Sequence, residues 1–497
     1  MKRHLTIAGL GVSLALGSVA AQAQDVAAAN WMDQPRDWHE TLRADASSFH
    51  AQILNNHPGP VDPESPAFRN RLDAGLAVAL DRAATVEDAG GWWWAMRAFV
   101  ASFDDGHVQI SLNQSASFPA RWPGFLTLYR GADQVVATRD EDRTDLPPLG
   151  ARLVDCDGVP ADRLAEERIG QFRGRWSLES QHVTYGDWLF LNLSNPWIPE
   201  LGSCRFDAEG TIRSYALSWR DISGADLAAR RNPLAQRASP AFGLRRPEGG
   251  GVWLSMPDFD GTPGGDAHTA LTALLTEAGA SQAELRTAPW VVLDVRGNGG
   301  GSSHWSQLLA GILWGDDWQA AHRLPQSRGV DWRASEANIA LITSYLDQMR
   351  AGGGAADMIA WAEGAISGME QARAAGQAYW LQARDPESAP ESTGSAVNPL
   401  AGPVYILTDS ACASACLDAV DVWKAMGAVQ IGRETSADTV YMEVGSGELP
   451  SGLASLGIPM KVYRGRARGN NEPHRPQHEF DGNMTDDAAL LAWVRGL

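Results

Sequence analysis

Between residues 38 and 53 the apolar side chains Trp38, Leu42, Phe49 and Ile53 recur at helical spacing, until Asn55-Asn56-His57-Pro58 breaks the run. Ser65-Pro66 then supplies a cap and a first-turn proline for a second helix reaching about residue 82, and 85–103 reads as a third. From about 113 to 225 the pattern changes to short alternating runs, such as Phe125-Leu126-Thr127-Leu128-Tyr129 and Gln134-Val135-Val136-Ala137-Thr138, broken by turn residues. A polar segment at 226–250 leads into a third regime. Apolar strands at 252–256, 290–295, 403–408 and 429–432 alternate with helices at about 266–280, after 301 and at about 414–426. Such alternation predicts a mixed α/β core built on crossover units. An Ala- and Gly-rich stretch at 316–395 interrupts it as a helical insertion.

The first residues depart from all three regimes. Lys2 and Arg3 precede an apolar run from Leu5 to Ala21, and Ala21-Gln22-Ala23 closes it with small residues. These are the parts of a secretory signal peptide over 1–23. The run carries Gly9, Gly11, Ser13, Gly17 and Ser18 and is short for a bilayer span. The expectation is a periplasmic or secreted protein without stable membrane insertion, divided into 24–112 (helical), 113–225 (β-rich) and 226–497 (α/β core with the insertion).

With 497 residues, 44 % of them hydrophobic and 20 % charged, the chain can build a sizeable core without staples. Its formal charge of −19 excludes a general nucleic-acid binder, which needs clustered cations. The 20 tryptophans form no repeat and read as core and groove lining. Cys156 and Cys204 fall in one β-rich region and suit a disulfide in an oxidising compartment. Cys412 and Cys416 do not. On a regular helix their Cβ atoms stand roughly 5–6 Å apart, against the roughly 3.5–4.5 Å a disulfide wants. They are expected free, or paired only through local distortion. No metal ligands occur at finger-like spacing.

Two strand-to-helix turns carry candidate chemistry. In Thr408-Asp409-Ser410-Ala411-Cys412-Ala413-Ser414-Ala415-Cys416 a serine at a helix start points free N–H groups at a developing oxyanion. Small residues there are more often caps, and the Gly-x-Ser-x-Gly elbow is missing. In Leu293-Asp294-Val295-Arg296-Gly297-Asn298-Gly299-Gly300-Gly301-Ser302 the glycines allow backbone N–H groups to approach a substrate. Neither the dinucleotide order nor a P-loop lysine is present.

Taken in order, the two motifs resemble tail-specific (C-terminal-processing) and tricorn-core serine peptidases. Asp294 to Gly301 is similar to their Asp-x-Arg-x-Asn-x-Gly-Gly signature, Ala413-Ser414-Ala415 to their nucleophile turn, and Gly432-Arg433-Glu434-Thr435 to their Gly-Glu-x-Thr. The likeness covers about 250–497 well and the first half loosely. It implies a ClpP/crotonase-like α/β peptidase core behind an N-terminal helical domain and a β-rich PDZ-like domain. The stretch Leu149 to Pro160 resembles the strand and Asp-Gly turn of a PDZ module, although any β-rich hairpin insert would read alike. By the same resemblance Ser414 is the nucleophile, and Ala415 N–H with that of Gly299 or Gly300 forms the oxyanion hole. Ser410 falls four residues too early.

One branch of the family uses a lysine in a Gly-Lys-Gly turn after the nucleophile. Thr435-Ser436-Ala437-Asp438-Thr439 has none, and neither Lys424 nor Lys461 fits. The tricorn-like branch uses a histidine and a glutamate. Asp105-Gly106-His107-Val108 resembles its Asp-Gly-His-Thr element, with Gly106 where a supporting serine stands, and Glu472 occupies the place of its glutamate. The catalytic set implied is Ser414, His107 and Glu472, with His304 and His474 as lesser candidates for the base. It would hydrolyse peptide or protein substrates through an acyl-enzyme, without metal or cofactor. The competing reading is a non-catalytic binder of lipid-like or peptide ligands on the same fold, as in interphotoreceptor retinoid-binding protein. A third is a hydrolase of esters or other acyl groups.

Overall fold

The structure, a computed structural model, describes residues 31–234, 238–322, 324, 328–352, 356–382 and 397–497. The signal peptide inferred over 1–23 and part of the 316–395 insertion lie outside the described residues. None of the described helices is long and apolar enough to cross a membrane.

A six-stranded sheet forms the base of the α/β half, in the order Gly243–Arg245, Val252–Ser255, Val291–Asp294, Val404–Thr408, Val429–Gly432, His478–Glu479. The first pairing is antiparallel and the other four are parallel. Every residue of Val252–Ser255, Val291–Asp294 and Val404–Thr408 is buried. Parallel strands covered on both faces have no solvent side, so these runs read as continuously apolar instead of alternating. Helices Asp266–Ala280, His304–Trp314 and Ala415–Ala425 cover one face through Leu271, Leu309 and Trp423. Phe480 and the last helix, Asp487–Val494, cover the other.

The N-terminal helices Trp38–Asn56, Phe68–Arg82 and Ala89–Ala101 begin, in the first and third cases, at Asp37 and Asp88, whose carboxylates accept the N–H of Glu40 and Gly91. Their apolar faces do not close on one another alone. Phe49, Phe99 and Phe103 share a core with Leu456, Ile458 and Val462 of the long strand Ala454–Arg464. Strand Gln109–Leu112 pairs with that same strand. Asp45, buried in the first helix, accepts from Trp92 Nε1 at 2.9 Å and from the Ser451 N–H at 3.0 Å. The N-terminal helices are thus built onto strand Ala454–Arg464, more than 300 residues away.

The β-rich segment folds into an antiparallel sheet with its own core around Phe125, Leu153 and Phe206. Cys156 and Cys204 are directly opposed on strands Arg152–Cys156 and Ser203–Ala208 and form the disulfide that their shared region suggests. The insertion is not helical throughout. Strands Gly329–Arg333 and Tyr379–Gln382 pair with each other, and the first also pairs with Ala454–Arg464. Between them, helices Glu336–Ala351 and Ala356–Ala374 pack over Trp332 and Met460.

His57 sits where the helices meet the long strands, fully buried between the rings of Phe68 at 4.6 Å and Tyr441 at 4.7 Å. Its Nδ1 accepts the Gly59 N–H at 2.8 Å, and burial pushes its pKa down to about 3. The unfolded chain takes up this proton near the ordinary histidine pKa of about 6.5, whereas the folded chain refuses it until far lower pH. Stability from this group is therefore full above about pH 6.5 and falls by about 1.4 kcal/mol per pH unit as acid is added. His57→Asn should bind about one proton fewer on unfolding between pH 6 and 4. The measurement is the slope of unfolding free energy against pH, whatever the variant's stability at neutral pH.

Candidate active site

Strands Val291–Asp294 and Val404–Thr408 are parallel neighbours in a register that puts Asp294 opposite Leu407. Both chains therefore leave the sheet on the same side, and loops at the carboxyl ends of adjacent parallel strands meet there. Asp294 and Arg296 hold the first loop. They form a buried ion pair with Nε–Oδ1 at 2.9 Å and Nη2–Oδ2 at 2.6 Å. Trp253 Nε1 donates to the same carboxylate, and Arg296 reaches Met484 O at 2.6 Å and Asp487 at 2.8 Å. Asp294 and Arg296 are thus structural, fastening the glycine loop to the last helix.

Asp409 holds the second loop against the first. Its carboxylate accepts the Gly297 N–H at 3.1 Å and the Ala411 N–H at 3.0 Å, and Ala413 N–H donates to Asn298 O at 3.2 Å. Burial raises the Asp409 pKa to about 6, against the pull of those two N–H donors. Ser410 lies within the turn that Asp409 caps.

Ser414 follows at the N-cap of helix Ala415–Ala425, partly exposed, with φ 53° and ψ −122°. That conformation is costly for a residue with a Cβ. It persists because both sides are tied down: Leu417 N–H donates to Ser414 O at 2.8 Å, and Cys412 and Cys416 are joined across the serine. Of the two expected outcomes, free cysteines or a pair formed only through local distortion, the structure shows the pair. The helix begins only at Ala415, so Cys412 lies in the preceding turn and the spacing of a regular helix does not apply. With a Cα–Cα distance of 5.3 Å, the pair falls within normal disulfide geometry.

Gly300, at φ 109°, packs directly on the serine. A Cβ there would stand 2.8 Å from Ser414 Cβ and 2.9 Å from Ala413 O. The Gly300 N–H donates to Asn298 Oδ1 at 2.9 Å, so it is engaged within the loop. Gly299 is exposed, and no acceptor for its N–H exists among the described residues. Ala415, the first helical residue, likewise has an N–H without an intrahelical acceptor. Of the three backbone donors taken from the sequence, Gly299 and Ala415 are the two left free.

His107 opens toward strand Gln109–Leu112 from a turn that Asp105 organises. One Asp105 oxygen accepts the His107 N–H at 2.8 Å and the other accepts Thr439 Oγ1 at 2.7 Å. The His107 ring is mostly buried, with Nδ1 3.8 Å from Asp105 and without a hydrogen bond. Glu472 is exposed and accepts the Gly469 N–H at 2.8 Å; it makes no ion pair with His107. Its neighbour Asn471, however, donates from Nδ2 to Asp104 O at 2.7 Å, which seats the Glu472 loop against the His107 loop.

The segment 435–439 links all three pieces. Ser436 N–H donates to Cys412 O at 3.0 Å, Thr435 exchanges hydrogen bonds with His474, Arg175 reaches Ala437 O at 2.9 Å, and Thr439 holds Asp105. Other candidates are placed elsewhere. His474 Nε2 lies 3.1 Å from Asp421. His304 is exposed at the first turn of its helix. Lys424 is exposed ten residues along the helix from Ser414 and faces Gln430, and Lys461 is buried against Glu443 at 3.2 Å. Sequence reasoning missed Asp409, the role of Asn298 in occupying the Gly300 N–H, and Asp105 as the carboxylate nearest His107. Only Asp105 left a visible signal, as the first residue of the Asp-Gly-His element.

No family model matches this sequence, and no curated protein matches it either. Solved structures do match. Mature CPAF aligns over 89 % of this chain and 92 % of its own, with TM-score 0.54 and 12 % identity. Mature CPAF complexed with lactacystin aligns over 89 % and 94 %, with TM-score 0.54 and 13 % identity. The photosystem II D1 C-terminal processing protease aligns more loosely, over 90 % and 98 %, with TM-score 0.30 and 14 % identity. The chain has the mixed α/β multidomain fold of the two CPAF structures, as the resemblance in its motifs implied.

Gly300→Ala should lose stability by roughly 1–3 kcal/mol, since the added methyl must displace Ser414 or the helix start. Thermal unfolding checks this, with Gly299→Ala, which meets nothing within 4 Å, expected to stay near the parent.

Proposed function

We propose that this chain is an exported serine peptidase that opens peptide bonds through an acyl-enzyme. Ser414 is the nucleophile, His107 the general base, Glu472 its carboxylate partner, and the N–H groups of Gly299 and Ala415 the oxyanion hole. The observation that carries the reading is the strained Ser414 backbone, held by a disulfide at a helix start and pressed against a glycine loop with a free N–H. A cap or packing serine has no use for such strain.

In the proposed reaction Ser414 Oγ attacks the scissile carbonyl carbon as its proton passes to His107 Nε2, since Nδ1 lies on the Asp105 side. The carbonyl oxygen becomes an oxyanion and accepts hydrogen bonds from Gly299 and Ala415. The tetrahedral species collapses as the imidazolium returns its proton to the leaving amine. Water then enters, His107 takes its proton, and the acyl-serine ester is cleaved to acid and free Ser414. Glu472, carried on a loop already seated beside His107, swings from Gly469 to stabilise the imidazolium. No metal or organic cofactor enters these steps. The leader at 1–23 assigns the reaction to the periplasm or exterior, and the substrates are peptides or proteins.

A second reading of the carboxylate follows from the 3.8 Å between His107 Nδ1 and Asp105. Asp105 would then orient the ring and Glu472 would be dispensable. We expect Ser414→Ala and His107→Ala to lower kcat for peptide hydrolysis by roughly 10³–10⁴-fold or more. Glu472→Gln should lose roughly 10²-fold or more in kcat, and Lys424→Ala should lose nothing. Full activity in Glu472→Gln together with collapse in Asp105→Asn would transfer the role to Asp105. Turnover by Ser414→Ala at the parent rate would sink the mechanism. A serine-directed phosphonate should label Ser414 in the parent chain; a pure binding protein on this fold would remain unlabelled.

A further inference from the structure

Arg97, Arg173 and Arg175 converge on a cleft of about 240 Å³, beside the Asp105-Gly106 turn and strand Gln109–Leu112. Arg175 is fully engaged. Its guanidinium reaches Ala437 O at 2.9 Å and its N–H donates to Asp104 at 2.7 Å, with Asp105 and Asp438 nearby. The other two face no carboxylate among the described residues. Arg97 donates only to Phe172 O, at 3.4 Å, and Arg173 lies over the rings of Trp188 at 4.0 Å and Tyr185 at 4.4 Å. The Nε of each is buried without an acceptor. Arg97 and Arg231 are the cations that act on Arg173, beside the Tyr185 hydroxyl, and Arg231 is already paired with Asp187. Burial, reinforced by the like charge of Arg97, brings the Arg173 pKa down to about 9.

Buried guanidinium groups are ordinarily paired, because leaving water without a counter-charge is costly. Two of them side by side, open to one cleft, make a place for an anion, and the planar guanidinium fits a carboxylate in particular. The cleft also offers a backbone. Strand Gln109–Leu112 ends its sheet: Ala454–Arg464 pairs with one side and no described strand pairs with the other. Val108, Gln109, Ile110 and Ser111 line the cleft, so an extended peptide can add there as a strand, next to His107.

We propose that this cleft anchors peptides by a carboxylate held between Arg97 and Arg173, with the peptide backbone added along Gln109–Leu112. Calling the bound peptide a substrate rests on the peptidase reading; the carboxylate site itself rests on the cleft. The carboxylate comes from an acidic side chain or from a peptide C-terminus.

The test measures binding of fluorescent extended peptides to the Ser414→Ala chain, which does not turn them over. Four peptides are compared: Glu or Gln at one internal position, each with a free or an amidated C-terminus. At least tenfold tighter binding of the Glu peptides identifies a side-chain carboxylate, and of the free-acid peptides a C-terminal one. Adding Arg97→Gln or Arg173→Gln should abolish that preference and leave the affinity of the Gln, amidated peptide unchanged, whereas Arg173→Lys should retain it. Equal affinity of all four peptides overturns the proposal without altering the cleft, and so does a preference that survives in both Gln variants. Carboxylate preference in a chain whose parent hydrolyses nothing would keep the cleft and sink the peptidase reading. Hydrolysis by the parent with no preference among the four would do the reverse.

Discussion

Gly300 and Ser414 come so close that no side chain fits between them, and the candidate site is arranged around that approach. Two parallel strands in fixed register deliver the glycine loop and the serine turn to one edge of the sheet. Asp409 then ties the loops together through the Gly297 and Ala411 N–H groups. With Gly300 occupied by Asn298, the free donors are Gly299 and Ala415, one from each loop. A serine with φ 53° cannot relax without releasing the helix start, the disulfide or the glycine loop.

The rest of the molecule serves this edge through long-range contacts. The histidine comes from the end of the N-terminal helices, and those helices have no finished core until strand Ala454–Arg464 completes it. Segment 435–439 then fastens the serine turn, the Glu472 loop and the Asp105 turn to one another. The long strand and this segment make His107 a neighbour of residues more than 300 positions away. The same construction leaves strand Gln109–Leu112 with no strand on its second side among the described residues, in a cleft shared with two arginines that meet no described carboxylate, so the cleft and the site share their backbone.

The lone histidines illustrate how burial separates roles that look alike in sequence. His57 is held neutral between aromatic rings and is part of the core. His474 is fixed to Asp421 on the helix behind the serine. His107 sits on the Asp104-Asp105 turn, which Thr439 ties to the linking segment and Asn471 to the Glu472 loop, and its Nδ1 is unbonded. The lysines divide similarly, since Lys461 is buried but committed to Glu443, with its ammonium over Trp332.

Local chemistry made much of this legible in the sequence. Continuous apolar runs mark buried parallel strands, and glycines mark turns that need positive φ or close approach, whereas Ser65-Pro66, read as the start of the second helix, precedes it, since that helix begins only at Phe68. The two strand-to-turn motifs, in order, pointed to the mixed α/β fold that the structure has. Tertiary structure decided what depends on distance across the chain. Helical spacing argued against a Cys412–Cys416 bond because sequence does not show that the helix starts only at Ala415. Alternating and apolar patterns likewise carry no sign that the insertion contributes strands to the sheet of Ala454–Arg464, or that Asn298 consumes one of the candidate oxyanion donors. Patterns of apolar residues specify which face is buried, whereas the partner that covers it, and the hydrogen bonds left over once it does, are settled only when distant segments pack.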